Sequence, residues 1–133
     1  MAEIKEDYVS FEVAKLLKEK GFDEGCSFVV NTISKGVMPV SWPTTNSDIE
    51  DEEANLIALP TLQMTMKWFR EIHNIGIFPS TYTHISDRKT IHSYGTAIIN
   101  LKTYELMTDS YLSNDTYEGA VEDAIKYCLE NLI

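Results

Sequence analysis

The chain has 133 residues, 44% hydrophobic and 24% charged, a composition ordinary for a soluble globular protein. Its 21 acids against 11 bases give a net charge of −10, which argues against direct nucleic-acid binding because a phosphate backbone needs Lys and Arg to displace its counterions. No apolar run approaches the ~20 residues of a membrane span, and Met1-Ala2-Glu3-Ile4-Lys5-Glu6-Asp7 has neither region of a signal peptide, so a cytoplasmic address is expected.

The first predicted helix starts at Ser10, a good N-cap, with Val9 and Ala14 at staple positions and Glu12 in the first turn, where the helix dipole favours an anion. Val9, Val13, Leu16 and Leu17 share a face at helical spacing. Gly21 suits the C′ position, from which Phe22 can fold back toward Leu17. Residues Cys26 to Ile33 alternate like a half-buried strand, Ser34-Lys35-Gly36 reads as a turn, and Val37 to Trp42 as a return strand cut short by Pro43. Cys26 and Cys128 are too few for a disulfide framework and read as small buried hydrophobes.

From Pro43 to Asn55 a long mobile loop is expected, because five of the six residues from Asp48 to Glu53 are acidic and repel one another. A short apolar strand over Asn55 to Leu59 leads into the central helix, with Pro60 at its first position, where a missing N–H costs nothing. Leu62, Met66, Phe69 and Ile72 form its buried stripe, with Trp68 beside it.

After Asn74 and Gly76 the hydrophobic period changes from 3.6 to 2. Ser80 to Ile85 reads as a strand, Asp87-Arg88-Lys89 as a turn, Ile91 to Asn100 as a second strand, and Tyr104 to Thr108 as a third after a turn at Asn100. The last helix begins at Asp115 or Thr116. Asp115 as cap would place Glu118 correctly at N3, whereas Thr116 would place Gly119 there. Tyr117, Val121, Ala124, Cys128 and Leu132 trace its inner face.

These elements describe a single α+β domain over 1–133, in the order α-β-β-(β)-α-β-β-β-α, with an antiparallel sheet of about five to six strands and helices on one face. Its open face is expected to carry Thr81, Thr83, Tyr94 and Thr96.

Chemistry is far less legible. His84 and His92 flank the Asp87–Lys89 turn. A three-residue loop would set the two imidazoles opposite each other on one face, and a two-residue loop would put them on opposite faces. Together with Tyr82 and Tyr94 they form the candidate ligand-binding group, while His73 reads as a favourable cation at a helix C-terminus. Asp48, Glu50, Asp51, Glu52 and Glu53 form the candidate partner-binding group, since they lack the alternating ligands and central Gly of a Ca²⁺ loop. Trp42, Trp68, Tyr104 and Tyr111 join Tyr82 and Tyr94 as candidates for a surface that stacks on sugars, bases or partner side chains, with Trp68 assigned to the core. There is no G-x-S-x-G, H-E-x-x-H, P-loop or G-x-G-x-x-G, so no catalytic residue, cofactor or metal is expected.

Three segments carry a resemblance: Lys5-Glu6-Asp7-Tyr8-Val9-Ser10 running through Val13 to Phe22; Pro60-Thr61-Leu62-Gln63-Met64 through Lys67-Trp68; and Thr116-Tyr117-Glu118 through Ala124 to Glu130. Together they resemble a group of small uncharacterised proteins of gut anaerobic bacteria and their phages or prophages. The resemblance implies a mobile-element setting and assigns no residue a role. The expected function is that of a non-enzymatic binding protein, a phage-type accessory whose acidic surface meets a basic protein partner. The competing readings are an enzyme or small-ligand protein with a pocket between sheet and helices, and a self-associating structural component.

Overall fold

The computed structural model describes residues 7–49, 55–114 and 116–133, with the side chains of Tyr82, His84 and residues 109–114 outside that description. In chain order the elements are α1 (Phe11–Glu19), β1 (Cys26–Asn31), β2 (Val37–Thr44), β3 (Leu56–Leu59), α2 (Leu62–Ile72), β4 (Ile75–Ser86), β5 (Lys89–Asn100), β6 (Leu106–Asn114) and α3 (Tyr117–Asn131). This is the expected α+β class and element order, with all strand pairs antiparallel. The six strands form two sheets, however, ordered β2-β1-β3 and β4-β5-β6. Each sheet takes its strands from one side of α2 in the chain. The residues divide into two compact units, Met1–Met64 and Thr65–Ile133, and the boundary falls in the first turn of α2.

In the first unit α1 begins and ends as its sequence dictates. Ser10 Oγ accepts from the Val13 N–H at 3.3 Å. At the other end Phe22 N–H donates to Leu17 O (2.9 Å) and Gly21 N–H to Lys18 O (3.1 Å), the paired bonds of a Schellman cap. Gly21 holds φ +88°, a conformation a Cβ would oppose. Val13, Ala14 and Leu17 are buried, and α1 packs on β3. Strand β1 departs from the half-buried expectation: neighbouring Val29 and Val30 are both buried, as are their partners Ala58 and Ile57 on β3, so both faces of the sheet are covered here. Strand β2 runs through Pro39 and Pro43 to Thr44 instead of stopping at Trp42. It can do so because it is an edge strand, and because four residues opposite Ser27 bulge between the pairs Phe28↔Pro39 and Cys26↔Thr44. Pro60, expected at the first helical position, instead stands two positions before it, ahead of the cap. Thr61 is the cap of α2, its Oγ1 accepting from the Met64 N–H at 3.0 Å, while the Pro60 carbonyl accepts from Val9 N–H at 3.1 Å.

In the second unit Thr65, Met66, Trp68 and Phe69 are buried. Ile72, placed in the buried stripe by its spacing, is the last helical residue and is exposed instead. Strand β4 starts at Ile75, five residues before the expected start, with Pro79 tolerated because β4 is also an edge strand. Helix α3 packs on β4, β5 and β6 and buries Ala120, Val121, Ala124, Ile125, Cys128 and Leu129. Its cap is Thr116, whose Oγ1 accepts from the Gly119 N–H at 3.0 Å. A backbone donor satisfies that bond whatever the side chain at N3, so Gly119 does not disqualify Thr116. The alternative cap Asp115 lies outside the described residues.

The turns expected at Ser34–Gly36 and at Asn100 are both present, and they share one geometry that the sequence pattern did not reveal. In 31–36, Asn31 Oδ1 accepts from the N–H groups of Ile33 and Ser34, and Lys35 N–H donates to Asn31 O. In 100–105, Asn100 Oδ1 accepts from Lys102 and Thr103, and Tyr104 N–H donates to Asn100 O. The fifth residue is left-handed each time, Lys35 at φ 61° and Tyr104 at φ 60°. In each case the first loop N–H also donates at 2.7 Å to the carbonyl of a left-handed Asn that precedes a strand, Thr32 to Asn55 and Leu101 to Asn74. The Asx bonds satisfy the loop donors, which is why Asn occupies the leading position of both turns.

Candidate functional site

The β4–β5 hairpin decides the histidine question. Its loop has two residues, Asp87 (φ 51°) and Arg88 (φ 64°), closed by the pair Ser86↔Lys89. Two consecutive left-handed residues form a type I′ turn, whose twist matches the flanking strands. The register then pairs His84 with Ile91 and His92 with Thr83. Directly paired residues share a face and neighbours alternate, so positions 84 and 92 belong to opposite faces of the ribbon. Tyr82 goes with position 84, and Tyr94, paired with Thr81, goes with His92. The four candidate ligand-binding residues are thus split two and two. The side chains of Tyr82 and His84 lie outside the described residues. On the other face His92 Nδ1 sits 3.2 Å from Thr83 Oγ1, and the Tyr94 ring meets Tyr117 of α3 edge-on at 6.4 Å.

That contact also corrects the expected open face. Thr81, Thr83, Tyr94 and Thr96 do share one face, and Thr81 and Thr83 are exposed as expected, but toward Tyr94 and Thr96 that face meets α3. Thr96, Ile98, Ile75 and Ile77 are buried on it. The open face is the opposite one, carrying Phe78, Ile91 and Leu106.

His73 is no helix-terminal cation. It follows the last residue of α2, its ring lies edge-on to Trp68 at 4.6 Å, and its shielded Nε2 has no hydrogen-bond partner among the described residues. Loss of solvent around the ring lowers its pKa, so the neutral form is favoured. Trp68 is buried as assigned, T-shaped against Phe69 at 5.1 Å. Cys26 and Cys128 are both free and buried, and burial pushes their thiols up to about 11 and about 12.

The acidic segment is better anchored at its start than a mobile loop would be. Asp48 Oδ2 accepts from the Thr45 N–H at 2.9 Å while Thr45 Oγ1 accepts from the Asp48 N–H at 3.1 Å. Asn46 reaches further: its Nδ2 donates to Phe22 O (2.8 Å) and its Oδ1 accepts from the Ala58 N–H (3.0 Å). Asp23 accepts from both Ser47 N–H (2.7 Å) and Ser47 Oγ (2.6 Å), and these bonds hold its carboxyl below the usual carboxylate range. Two anionic side chains, Asp23 and Asp48, are therefore fixed on one turn. Glu50, Asp51, Glu52 and Glu53 lie outside the described residues.

Leading into that turn is the feature sequence reasoning left undistinguished among the aromatics. Trp42 is 77% exposed, on the bulged edge strand β2, next to Pro43, whose Cβ lies against the backbone of Gly25. Val37 and Met38 are exposed on the same strand, and Ile33 in the turn before it. No signal in periodicity separates an exposed strand Trp from a buried one. The hint available was its place between two prolines, which marks an edge strand. Prolines and the bulge also blunt β2 as a template for strand addition, so a ligand here would meet side chains and not the backbone.

No protein-family model, curated protein or solved structure matches the chain.

Proposed function

We propose that the chain is a binding protein whose first unit takes a Lys- or Arg-rich segment of a protein partner. The observation that carries this reading is the 77% exposure of Trp42 on a strand that runs directly into a turn holding Asp23 and Asp48. Leaving an indole in water forfeits the burial that Trp ordinarily contributes, and Trp is enriched where partners meet. An indole face attracts a cationic side chain, and the fixed carboxylates of the turn that follows Trp42 in the chain favour the same ligand. Net charge of −10 extends that preference to the encounter itself, by steering a basic partner toward the protein. In the sequence, Glu50, Asp51, Glu52 and Glu53 follow this turn. By its resemblance, the setting of such a pair is a phage or prophage of a gut anaerobe.

Calorimetric titration with a short Lys/Arg peptide tests the reading. Trp42→Ala is expected to weaken binding about 2- to 30-fold, the range of one cation–π contact of ~0.5–2 kcal/mol. Raising salt from about 0.05 M to about 0.5 M should weaken it further by shortening the reach of the carboxylates. Peptide binding that responds to salt but is indifferent to Trp42→Ala would reduce the protein to a generic polyanion and overturn the proposal.

A further inference from the structure

The turn shared by the two units is one corner of a larger correspondence. Set against each other on Asn31 and Asn100, residues 26–44 and 95–113 match without a gap. Val29-Val30 stands against Ile98-Ile99, Val37-Met38 against Leu106-Met107, and Ser41-Trp42 against Ser110-Tyr111. The strand on the other side of the central one matches too, as Asn55-Leu56-Ile57-Ala58-Leu59-Pro60 and Asn74-Ile75-Gly76-Ile77-Phe78-Pro79. Their registers are the same: Asn31 pairs with Leu56 and Val29 with Ala58, as Asn100 pairs with Ile75 and Ile98 with Ile77. Each unit therefore holds one and the same three-stranded element. The strand led by the left-handed Asn follows the hairpin in the first unit and precedes it in the second.

Part of this match is what such a corner requires. Asn31 and Asn100 satisfy loop donors, Asn55 and Asn74 hold φ of 54° and 55°, and Val29 and Ile98 are buried. The outer strands match beyond that requirement. Both β2 and β6 open on an exposed aliphatic residue and a Met, Val37 (55%) with Met38 (42%) and Leu106 (58%) with Met107 (36%). Both also bulge toward the far end, residues 40–43 opposite Ser27 and residues 111–113 opposite Gly95. Trp42 and Tyr111 stand within those bulges at equivalent positions. The turn does not ask for apolar side chains in water, and exposing them forfeits their burial, so their repetition points to a shared use. We infer that the second unit carries a second site of the kind proposed for Trp42, with Tyr111 of β6 in the Trp42 role. One chain then takes two Lys- or Arg-rich segments. The inference rests on the reading of Trp42 given above and extends it to the other unit. A phenol face attracts a cation less strongly than an indole, so the second site is the weaker one. Asp109 and Asp115 flank Tyr111 in the sequence, and their charge favours the same class of ligand.

Titration of the full chain with the same Lys/Arg peptide, read by calorimetry, counts the sites. The wild-type protein is expected to take two peptides. Tyr111→Ala should weaken the weaker site about 2- to 5-fold and leave the stronger one as it was, while Trp42→Ala does the reverse. The double variant Trp42→Phe/Tyr111→Trp gives a readout that does not depend on removing the ring. Its tryptophans are the buried Trp68 and the introduced indole, so added peptide should lower acrylamide quenching of its fluorescence. A single peptide per chain, sensitive to Trp42→Ala and indifferent to Tyr111→Ala, overturns the inference and leaves the Trp42 reading standing. So does an introduced indole that is quenched as freely with saturating peptide as without it. Peptide binding indifferent to both substitutions overturns the two readings together.

Discussion

Replacing Asn46 with Ala is expected to destabilise the first unit far more than a half-buried polar residue ordinarily would. Its carboxamide donates to Phe22 O at 2.8 Å and accepts from Ala58 N–H at 3.0 Å, joining the end of the α1 cap, 24 residues earlier, to strand β3, 12 residues later. Phe22 and Ala58 are both buried, so Ala at 46 removes a hydrogen bond from the backbone of each. Losing each bond at such a site costs about 1–2 kcal/mol, about 2–4 kcal/mol for the pair. In urea, with a slope of about 1–3 kcal/mol per molar, the unfolding midpoint should fall by about 1–2 M without a change of slope. Asn46→Asp keeps the acceptor but turns a carboxylate toward the Phe22 carbonyl, so it should not rescue the loss. A midpoint shift below about 0.3 M for Asn46→Ala would refute the claim that these two bonds anchor the turn.

Gly21→Ala should cost about 1–2 kcal/mol by chemical denaturation, because φ +88° strains any residue with a Cβ while no atom within 4 Å adds a clash. Cys26 and Cys128, with thiols raised to about 11 and about 12 by burial, should resist alkylation at pH 8 in the native protein and both react in denaturant. His73 has a folded-state pKa lowered by desolvation from the ordinary 6.5, so the unfolded chain takes up the proton first as pH falls. Its contribution to stability is complete above pH 6.5 and is lost as pH drops from there toward the folded value. Denaturation of His73→Phe across this range should show a smaller loss than the wild-type protein, and an equal loss would contradict the neutral ring against Trp68.

What the sequence made legible was local. The Ser10 cap and the Schellman end at Gly21 and Phe22 depend on residues close in sequence, and both stand in the structure; the inner face of α3 stands at Val121, Ala124 and Cys128, whereas Tyr117 is exposed and Leu132 only half-buried. The grouping of strands was not legible, because β3 pairs with β1 across the whole intervening hairpin and nothing in its four residues names that partner. Pro43 misled: it suggested that the strand stops, whereas an edge strand tolerates a missing N–H. One residue of loop length set the fate of the histidines. Asp87 suits the first left-handed position, but Arg88 is uncommon at the second, so the two-residue turn carried no glycine to announce it. Trp42 was legible as an aromatic on a strand and no further, since its exposure follows from β2 lying at the sheet edge.

The measurement that tests the binding account most directly is acrylamide quenching of tryptophan fluorescence with and without a Lys/Arg peptide. The chain has two tryptophans, Trp68 buried and Trp42 exposed, so quenching of the free protein should come from Trp42 and disappear in Trp42→Phe. If Trp42 takes the cationic segment, saturating peptide should shield it and lower the quenching constant of the wild-type protein while leaving that of Trp42→Phe unchanged. Peptide bound to saturation with Trp42 quenched as freely as before would contradict the account.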